Sequence, residues 1–212
     1  RRNNIEVAAS HRFCNAAPVT IAIYYGMQSM FEGETHVLTP GGAYTDWTEA
    51  AKASTFTKRE YPLFRRYVEK NRQGYQSTWL LPDGLGDHAL LDGQDDIFIY
   101  APYGKSYHKL IGNKRMENGD KTCWRGVYTW FETPIADDAD LLCYEGSAGG
   151  HTAVFIDCKR ACKRTLALPG YLDLRHFGTA EQNGGIRISA AGRNKLKIKA
   201  DAPGSCVLLL RE

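Results

Sequence analysis

Short segments of alternating apolar and polar residues, separated by turn residues, recur along most of this 212-residue chain. In the clearest one, over residues 19–25, every second side chain from Val19 to Tyr25 is apolar and would lie on one face of a strand. Further strands are predicted over residues 33–38, 75–81, 97–100, 127–132, 141–144, 152–157, 171–174, 186–189, 196–200 and 206–210. Strands at intervals of roughly 10–12 residues are typical of closed or stacked β-sheets. The fold class predicted is therefore mainly β: a single antiparallel β-sandwich or a jelly-roll-like barrel.

The segment 46–73 interrupts this pattern and predicts a short helical insertion. Asp46 and Glu49 have the spacing of a capping box, which indicates a helix that continues through Lys52. A proline suited to a first helical turn, followed by apolar pairs four residues apart, predicts a second helix over 62–71.

Domain boundaries are not indicated anywhere in the chain. We find no internal repeat, no low-complexity stretch and no linker, so residues 1–212 are expected to form one domain. Residues 1–12 are polar and weakly patterned, which favours an N-terminal arm. Asn118-Gly119 is the strongest signal for a two-residue hairpin, because both positions tolerate positive φ.

The overall charge and hydropathy exclude few classes of function. A net charge of +3 is too small to indicate nucleic-acid binding on its own. No run of about 18 apolar residues is present, so no membrane-spanning helix is expected. The chain starts at Arg1-Arg2, for which we expect either a cleaved mature product or a trimmed chain. We expect no cofactor.

Cysteine usage favours an oxidising compartment, with secretion as the expected localisation. The number of cysteines is six, an even number that permits full pairing. Our first choice for a disulfide is Cys123 with Cys143, because each adjoins a predicted strand of the same central region. Glycosylation gives no support for secretion, since no Asn-x-Ser/Thr acceptor occurs.

The opening of the chain resembles two small β families. Phe13-Cys14-Asn15, the strand over 19–25 and the turn Pro40-Gly41-Gly42 are similar to the start of thaumatin-like domains and of mushroom aegerolysins. The resemblance is confined to this opening and implies a β fold. No functional residue is carried over from either family.

A loop rich in aspartate and glycine is the candidate metal site. Carboxylates on glycine-bearing turns can wrap a hard cation such as Ca²⁺. Gln94 stands where an EF-hand needs its final glutamate, so the loop is not an EF-hand. We favour a solvated loop built from Asp-Gly turns over a metal site. The candidate ligands are Asp83, Asp87, Asp92, Asp95 and Asp96.

Catalytic signatures are weak. Ser147 and His151 flank two glycines but lack the Gly-x-Ser-x-Gly elbow, which favours a hairpin loop over a nucleophile. No histidine pair has zinc-ligand spacing. If the chain is an enzyme, the residues we would place at its site are Lys105, Tyr107 and His108.

Aromatic residues and histidine in the central region form a candidate binding surface, because their rings can stack on sugars or bases. The alternative is that they are mainly core. The candidates are Tyr100, Tyr103, Tyr107, His108, Trp124 and Trp130.

Basic residues near the C-terminus form a second candidate surface. Lys195, Lys197 and Lys199 alternate with Leu196 and Ile198, so the lysines share one face of a strand. Such a face can meet an anionic polymer or an acidic partner. Alternatively, the lysines protect an exposed strand edge from pairing.

Four basic residues further upstream, in the segment 159–164, would share one face if that turn is helical. These are Lys159, Arg160, Lys163 and Arg164.

Two functions from different classes remain open. The leading one is a non-enzymatic recognition or structural module, as a subunit of a larger assembly or as an extracellular binding domain. Its expected partners are a protein or further copies of the chain, with an anionic polymer or a carbohydrate as a further option. The alternative is a small hydrolase or lyase that acts on an anionic polymer. A cleft with converging histidine, carboxylate and basic groups would favour the enzyme, and a broad apolar or charged face the module.

Overall fold

The structure, a computed structural model, describes residues 2–30, 36–38, 44–46, 55–57, 66–81, 96–101, 105–182 and 184–211. Within these ranges the chain is all β, with eighteen strands in several antiparallel sheets, none of them closed, and no helix. No helix that could cross a membrane occurs in this described part of the chain.

Four sheets are formed, and the strands are numbered in chain order. The outer four-stranded sheet has the order β2 (Val19–Ser29), β9 (Lys105–Met116), β8 (Asp96–Ala101) and β5 (Thr55–Thr57). The six-stranded sheet has the order β1 (Arg2–Arg12), β10 (Lys121–Phe131), β7 (Gly74–Leu80), β6 (Arg66–Asn71), β3 (His36–Leu38) and β4 (Tyr44–Asp46). The five-stranded sheet has the order β11 (Ala136–Asp137), β12 (Leu141–Ala148), β13 (His151–Cys158), β18 (Gly204–Leu210) and β15 (Phe177–Gln182). The three-stranded sheet has the order β14 (Cys162–Ala167), β17 (Lys195–Ala200) and β16 (Arg187–Ala190).

Three apolar clusters join these sheets in sequence. Met27 and Leu110 of the four-stranded sheet share a cluster with Trp124 of the six-stranded sheet. The opposite face of the six-stranded sheet meets the five-stranded sheet in a cluster that includes Trp79 and Phe155. A third cluster joins the other face of the five-stranded sheet to the three-stranded sheet. The molecule is thus a stack of sheets that is consistent with a β-sandwich, and its two central layers are covered on both faces.

The helical insertion predicted over 46–73 is not seen. Residues 66–71 form β6, which pairs with β7, so the predicted helix over 62–71 is wrong for its second half. Tyr67 and Val68 are both buried, because β6 belongs to a layer with a core on each side. Burial on both faces removes the alternation that marks a strand and leaves apolar residues at helix-like spacing. Asp46 ends β4, and the rest of the helix predicted over 46–52 lies outside the described residues.

The described part of the predicted N-terminal arm, residues 2–12, is not a free arm. Residues 2–12 form β1, which pairs with β10 along its whole length. Asn118-Gly119 does lie in a turn, but the turn joins β9 and β10, which belong to different sheets and pair with β2 and β1. The predicted two-residue hairpin is therefore a crossing between layers, with the Gly119 N–H donating to the carbonyl of Phe13 at 2.8 Å.

Two predictions in the C-terminal half have opposite outcomes. Residues 171–174 do not form the predicted strand, and their apolar pattern reflects Leu172 and Leu174 entering the core from a loop. The hairpin predicted around Ser147 and His151 is present, but its loop is shorter than the segment 146–151: Gly149 and Gly150, both with positive φ, join β12 to β13.

Candidate binding surface

The three-stranded sheet presents one polar, cationic face to solvent. Within β17, Leu196 and Ile198 are at most 1% exposed, while the three lysines that alternate with them are exposed. The alternation predicted for this strand is confirmed. The apolar face packs on the five-stranded sheet, so the lysine face is the outer surface of the stack.

Strand pairing gathers cations from three strands onto this face. Lys163 of β14, Lys199 of β17 and Arg187 of β16 lie directly opposite one another in the register. Directly paired residues of an antiparallel sheet point to the same side, about 5 Å apart. Lys195 and Lys197 continue the same face along β17. We call these five residues (Lys163, Arg187, Lys195, Lys197 and Lys199) the basic face.

Hydroxyl groups accompany the cations. Thr165 and Ser189 lie opposite Lys197 in the register, on its two sides. An open groove of about 510 Å³ runs over this part of the sheet. Its lining residues are Lys163, Arg164, Thr165, Arg187, Ile188, Ser189, Lys197, Ile198 and Lys199. Ammonium, guanidinium and hydroxyl donors without an aromatic ring suit phosphate, sulfate or carboxylate groups.

One carboxylate partly neutralises the basic face. Asp201 accepts a hydrogen bond from Arg187 at 2.7 Å and lies 3.6 Å from the Lys199 ammonium. None of the carboxylates that the structure describes lies within ion-pair distance of Lys163, Lys195 or Lys197. The basic face therefore keeps a surplus of positive charge available to a partner.

The four basic residues of the segment 159–164 do not share one face. That segment runs into a strand instead of a helix, so Lys163 faces outward while Arg164 turns to the other side. There Arg164 pairs with Asp138 and Asp140, and Arg160 also pairs with Asp140. The pKa values of both carboxylates lie below the usual range. At Asp138, burial acts to raise the pKa, but hydrogen bonds from the backbone N–H groups of Asp140 and Leu141 and from Arg164 outweigh it. At Asp140, hydrogen bonds from Arg164 and Arg160 lower the pKa.

Four residues of the aromatic surface predicted for the central region are described with their side chains, and two of them, on β9, pack against other rings. Tyr107 is 7% exposed and stacks on Tyr25 with ring centroids 4.5 Å apart. His108 is 1% exposed and lies against Tyr67 with centroids 5.2 Å apart.

The two tryptophans of that surface have structural partners as well. The Trp124 indole is 8% exposed and donates to the Tyr24 hydroxyl at 3.0 Å. The Trp130 indole donates to Gln76 at 2.7 Å. Tyr100 lies in β8 with no described side chain, and Tyr103 lies outside the described residues.

The acidic loop over 83–95 also lies outside the described residues, and Asp96 is described only as the first backbone position of β8. Among the residues that are described, no group of three metal-ligating side chains comes together.

The Cys123–Cys143 disulfide is not formed, and all six cysteines are free. Cys143 belongs to the cluster between the five- and three-stranded sheets. Its neighbours Leu142 and Tyr144 face the six-stranded sheet, where Cys123 lies in β10. The two thiols are thus separated by the five-stranded sheet, a relationship that adjacency to predicted strands does not reveal.

Sequence reasoning missed a second open cleft, of about 500 Å³, at the end of β10. Tyr171 is 72% exposed there and donates a hydrogen bond to Glu145 at 2.7 Å. The other residues that line this cleft are Phe131, Thr133, Pro134, Ile135 and Pro169. No pattern marked this site, because its residues come from distant segments.

Comparisons with protein families, with curated proteins and with solved structures find no match to this chain, so the resemblance of its first strands to thaumatin-like domains and aegerolysins gains no support from them.

Proposed function

We propose that this chain is a non-enzymatic β-rich recognition module that binds an anionic polymer across the basic face. The observation that carries the proposal is the row of Lys163, Lys199 and Arg187 across three strands, extended by Lys195 and Lys197. The net charge of the whole chain is only +3, so this concentration of cations makes a local field that differs from the rest of the surface.

The chemistry of the face favours recognition of repeated charges over recognition of rings. No aromatic residue lines the groove, so base or sugar stacking contributes nothing there. Neighbouring cations along β17 are two residues apart, or roughly 6.6 Å, which suits an extended polymer with a charge on each unit. Binding of this kind releases counterions and depends strongly on salt.

The alternative function, a hydrolase or lyase, has less support. Its candidate residues Tyr107 and His108 are 7% and 1% exposed. Tyr107 stacks on Tyr25 of the adjacent strand β2, and His108 lies tilted against Tyr67 of the six-stranded sheet. A histidine that is only 1% exposed is poorly placed to exchange protons with a polymer substrate.

The same proposal includes a single domain of jelly-roll-like sandwich type, acting within a larger assembly or as an extracellular module. The three apolar clusters that connect successive sheets support the single domain. The basic face supports the assembly, since it is the outer surface of the last sheet in the stack and is open to a partner.

Fluorescence anisotropy with labelled polymers tests the function. The probes are a single-stranded oligonucleotide, a sulfated polysaccharide and polyglutamate, at salt concentrations from about 50 to about 200 mM. We expect the wild-type protein to bind at least one probe. A variant with Lys163→Gln, Lys195→Gln and Lys197→Gln should bind more weakly, and its salt dependence should fall by about one unit of slope per lysine.

The matched control removes three exposed cations elsewhere: Arg12→Gln, Arg72→Gln and Lys121→Gln. It has the same net charge as the first variant, so it should keep most of the wild-type affinity. Equal loss in the two variants, or no binding of any probe by the wild type, would refute the proposal. Cleavage of a probe during incubation would favour the enzymatic alternative instead.

A further inference from the structure

Two cysteines at the junction between the five- and three-stranded sheets lie within contact of each other. Cys158 ends β13 and Cys162 begins β14, and their sulfur atoms are 3.8 Å apart. A disulfide needs the sulfurs at about 2.05 Å and allows several arrangements of the bridge. Bond formation therefore requires the two sulfur atoms to approach each other by roughly 1.7 Å.

The segment between the two cysteines is held in place. The N–H of Lys159 donates to the carbonyl of Asp140 at 2.8 Å. The Asp140 carboxylate accepts from Arg160 at 2.6 Å and from Arg164 at 2.7 Å, one residue within the loop and one beyond it. These contacts anchor the loop on both sides of Cys162, so the short distance between the sulfurs is built into the reduced protein.

We propose that Cys158 and Cys162 form a redox-active dithiol, which a low-molecular-weight disulfide converts to an intramolecular disulfide. The pair is independent of the binding proposed for the basic face, although Cys162 directly precedes Lys163. The bond would join the last residue of β13 to the first residue of β14 and would thereby staple two layers of the stack.

The two thiols have different roles. Cys158 is 3% exposed, and burial, followed by the proximity of Cys162, raises the pKa of its thiol well above the usual range. Cys162 is only half-buried and is reached first. A thiolate at Cys162 attacks one sulfur of the small disulfide and releases the first small thiolate. The Cys158 sulfur then attacks the Cys162 sulfur of the mixed disulfide and releases the second.

The exchange is balanced. Both cysteines lose a proton, two electrons pass to the small disulfide, and that disulfide leaves as two thiols. Cys143 and Cys206 lie in the same apolar cluster as Cys158 but are fully buried, which limits their reaction with the small disulfide. Cys14 is exposed and serves as a reference for an unpaired thiol.

The experiment treats the folded full-length chain, carrying Cys14→Ser, with oxidised glutathione and maps its disulfides by mass spectrometry. We expect one Cys158–Cys162 bond, with Cys143 and Cys206 remaining as thiols. The bond closes a short loop and should raise the Tm by about 4–8 °C in the absence of reductant. In the variant Cys162→Ser, the bond and the Tm shift should both disappear.

A second measurement does not depend on a cysteine variant with altered folding. A trivalent phenylarsenical binds two neighbouring thiols, so it should bind reduced wild-type protein at one site and be displaced by a small dithiol. Asp140→Asn should slow disulfide closure while leaving the arsenical site present, because it loosens the loop without removing a thiol. Glutathionylated Cys162 that never resolves, a bond from Cys158 to Cys206, or no arsenical binding would each overturn the proposal.

Discussion

Arg66 and Asp157 form a bidentate ion pair buried between the six-stranded and five-stranded sheets, with both nitrogen–oxygen distances at 2.6 Å. Arg66 also donates to the Tyr144 hydroxyl at 2.9 Å, and Ser205 donates to Asp157 at 2.6 Å. Burial, moderated by the neighbouring Arg66, raises the pKa of Tyr144 to about 12. We expect this polar network to favour one arrangement of the two central layers, because moving either layer would separate a buried charge from its partner.

Removal of Arg66 should therefore destabilise the fold strongly. In Arg66→Met the Asp157 carboxylate stays buried without its cation, which should cost about 3–5 kcal/mol of unfolding free energy. Urea denaturation measures this loss. The control is Arg187→Met, whose partner Asp201 is 58% exposed and whose loss should cost at most about 1 kcal/mol. Similar losses in the two variants would show that the buried pair has no special role.

Asp137 should make stability dependent on pH. Burial acts to raise its pKa, but hydrogen bonds from Lys159, Lys70 and Tyr75 outweigh it and hold the pKa below the usual range. A lowered pKa in the folded state stabilises the protein above the unfolded-state value of about 3.9, and this contribution is lost as pH falls further, through the folded-state pKa.

The variant Asp137→Asn isolates this contribution. It should lose about 1–3 kcal/mol at neutral pH, because two ammonium groups lose their shared acceptor. The gap between wild type and variant in urea midpoint should then narrow as pH is lowered below about 4. If the difference in urea midpoint between wild type and variant stays constant as the pH is lowered, the loss of stability in acid arises from other carboxylates.

Gly74 should not tolerate a side chain. Its φ is +138°, and a Cβ would lie 2.7 Å from the carbonyl oxygen of Phe131 on the neighbouring strand. Gly74→Ala should cost at least about 1–3 kcal/mol from backbone strain, before the clash is added. Gly170→Ala is the control, since nothing lies within 4 Å of its Cβ position. Thermal denaturation measures the melting temperature of both variants. Equal melting temperatures would contradict the turn conformation assigned to Gly74.

The two faces of β17 should respond oppositely to the same substitution. Leu196→Asp places an unpaired carboxylate at a position that is 0% exposed and should unfold the domain, at a cost of at least about 4 kcal/mol. Lys197→Asp, one residue away on the outer face, should change stability by about 0.5 kcal/mol or less. Circular dichroism of the two variants checks this. A folded Leu196→Asp beside an unfolded Lys197→Asp would mean that the register is inverted.

These elements also show which parts of the structure the sequence can predict. β17 can be predicted because one of its faces is exposed and the other is buried, so polar and apolar residues alternate along the whole strand. β6 is not readable, because its polar residues Arg66 and Glu69 are buried with partners on other strands, so polarity along this strand does not mark a solvent-exposed face. Periodicity in a single sequence indicates which side chains contact water, and few side chains of the two central layers do so.

The candidate site shows the same limit. Lys195, Lys197 and Lys199 could be placed on one face from local spacing alone. Lys163 and Arg187 could not, because their positions beside Lys199 depend on a register between strands that are distant in sequence. The central aromatics show a related limit, because a ring that packs between layers and a ring that meets a ligand have the same sequence signature.

The distribution of pairings along the chain has a consequence for the order in which the protein folds. The five- and three-stranded sheets are built entirely from β11 to β18, so residues 136–210 supply every strand of both sheets. In contrast, β1 pairs with β10, and Asn4 meets Thr129 across 125 positions of sequence. Closing so long a loop costs more chain entropy and slows the step that requires it. A refolding full-length chain should therefore complete the layers that carry the basic face first, and the N-terminal strands should dock onto them as the last and slowest event.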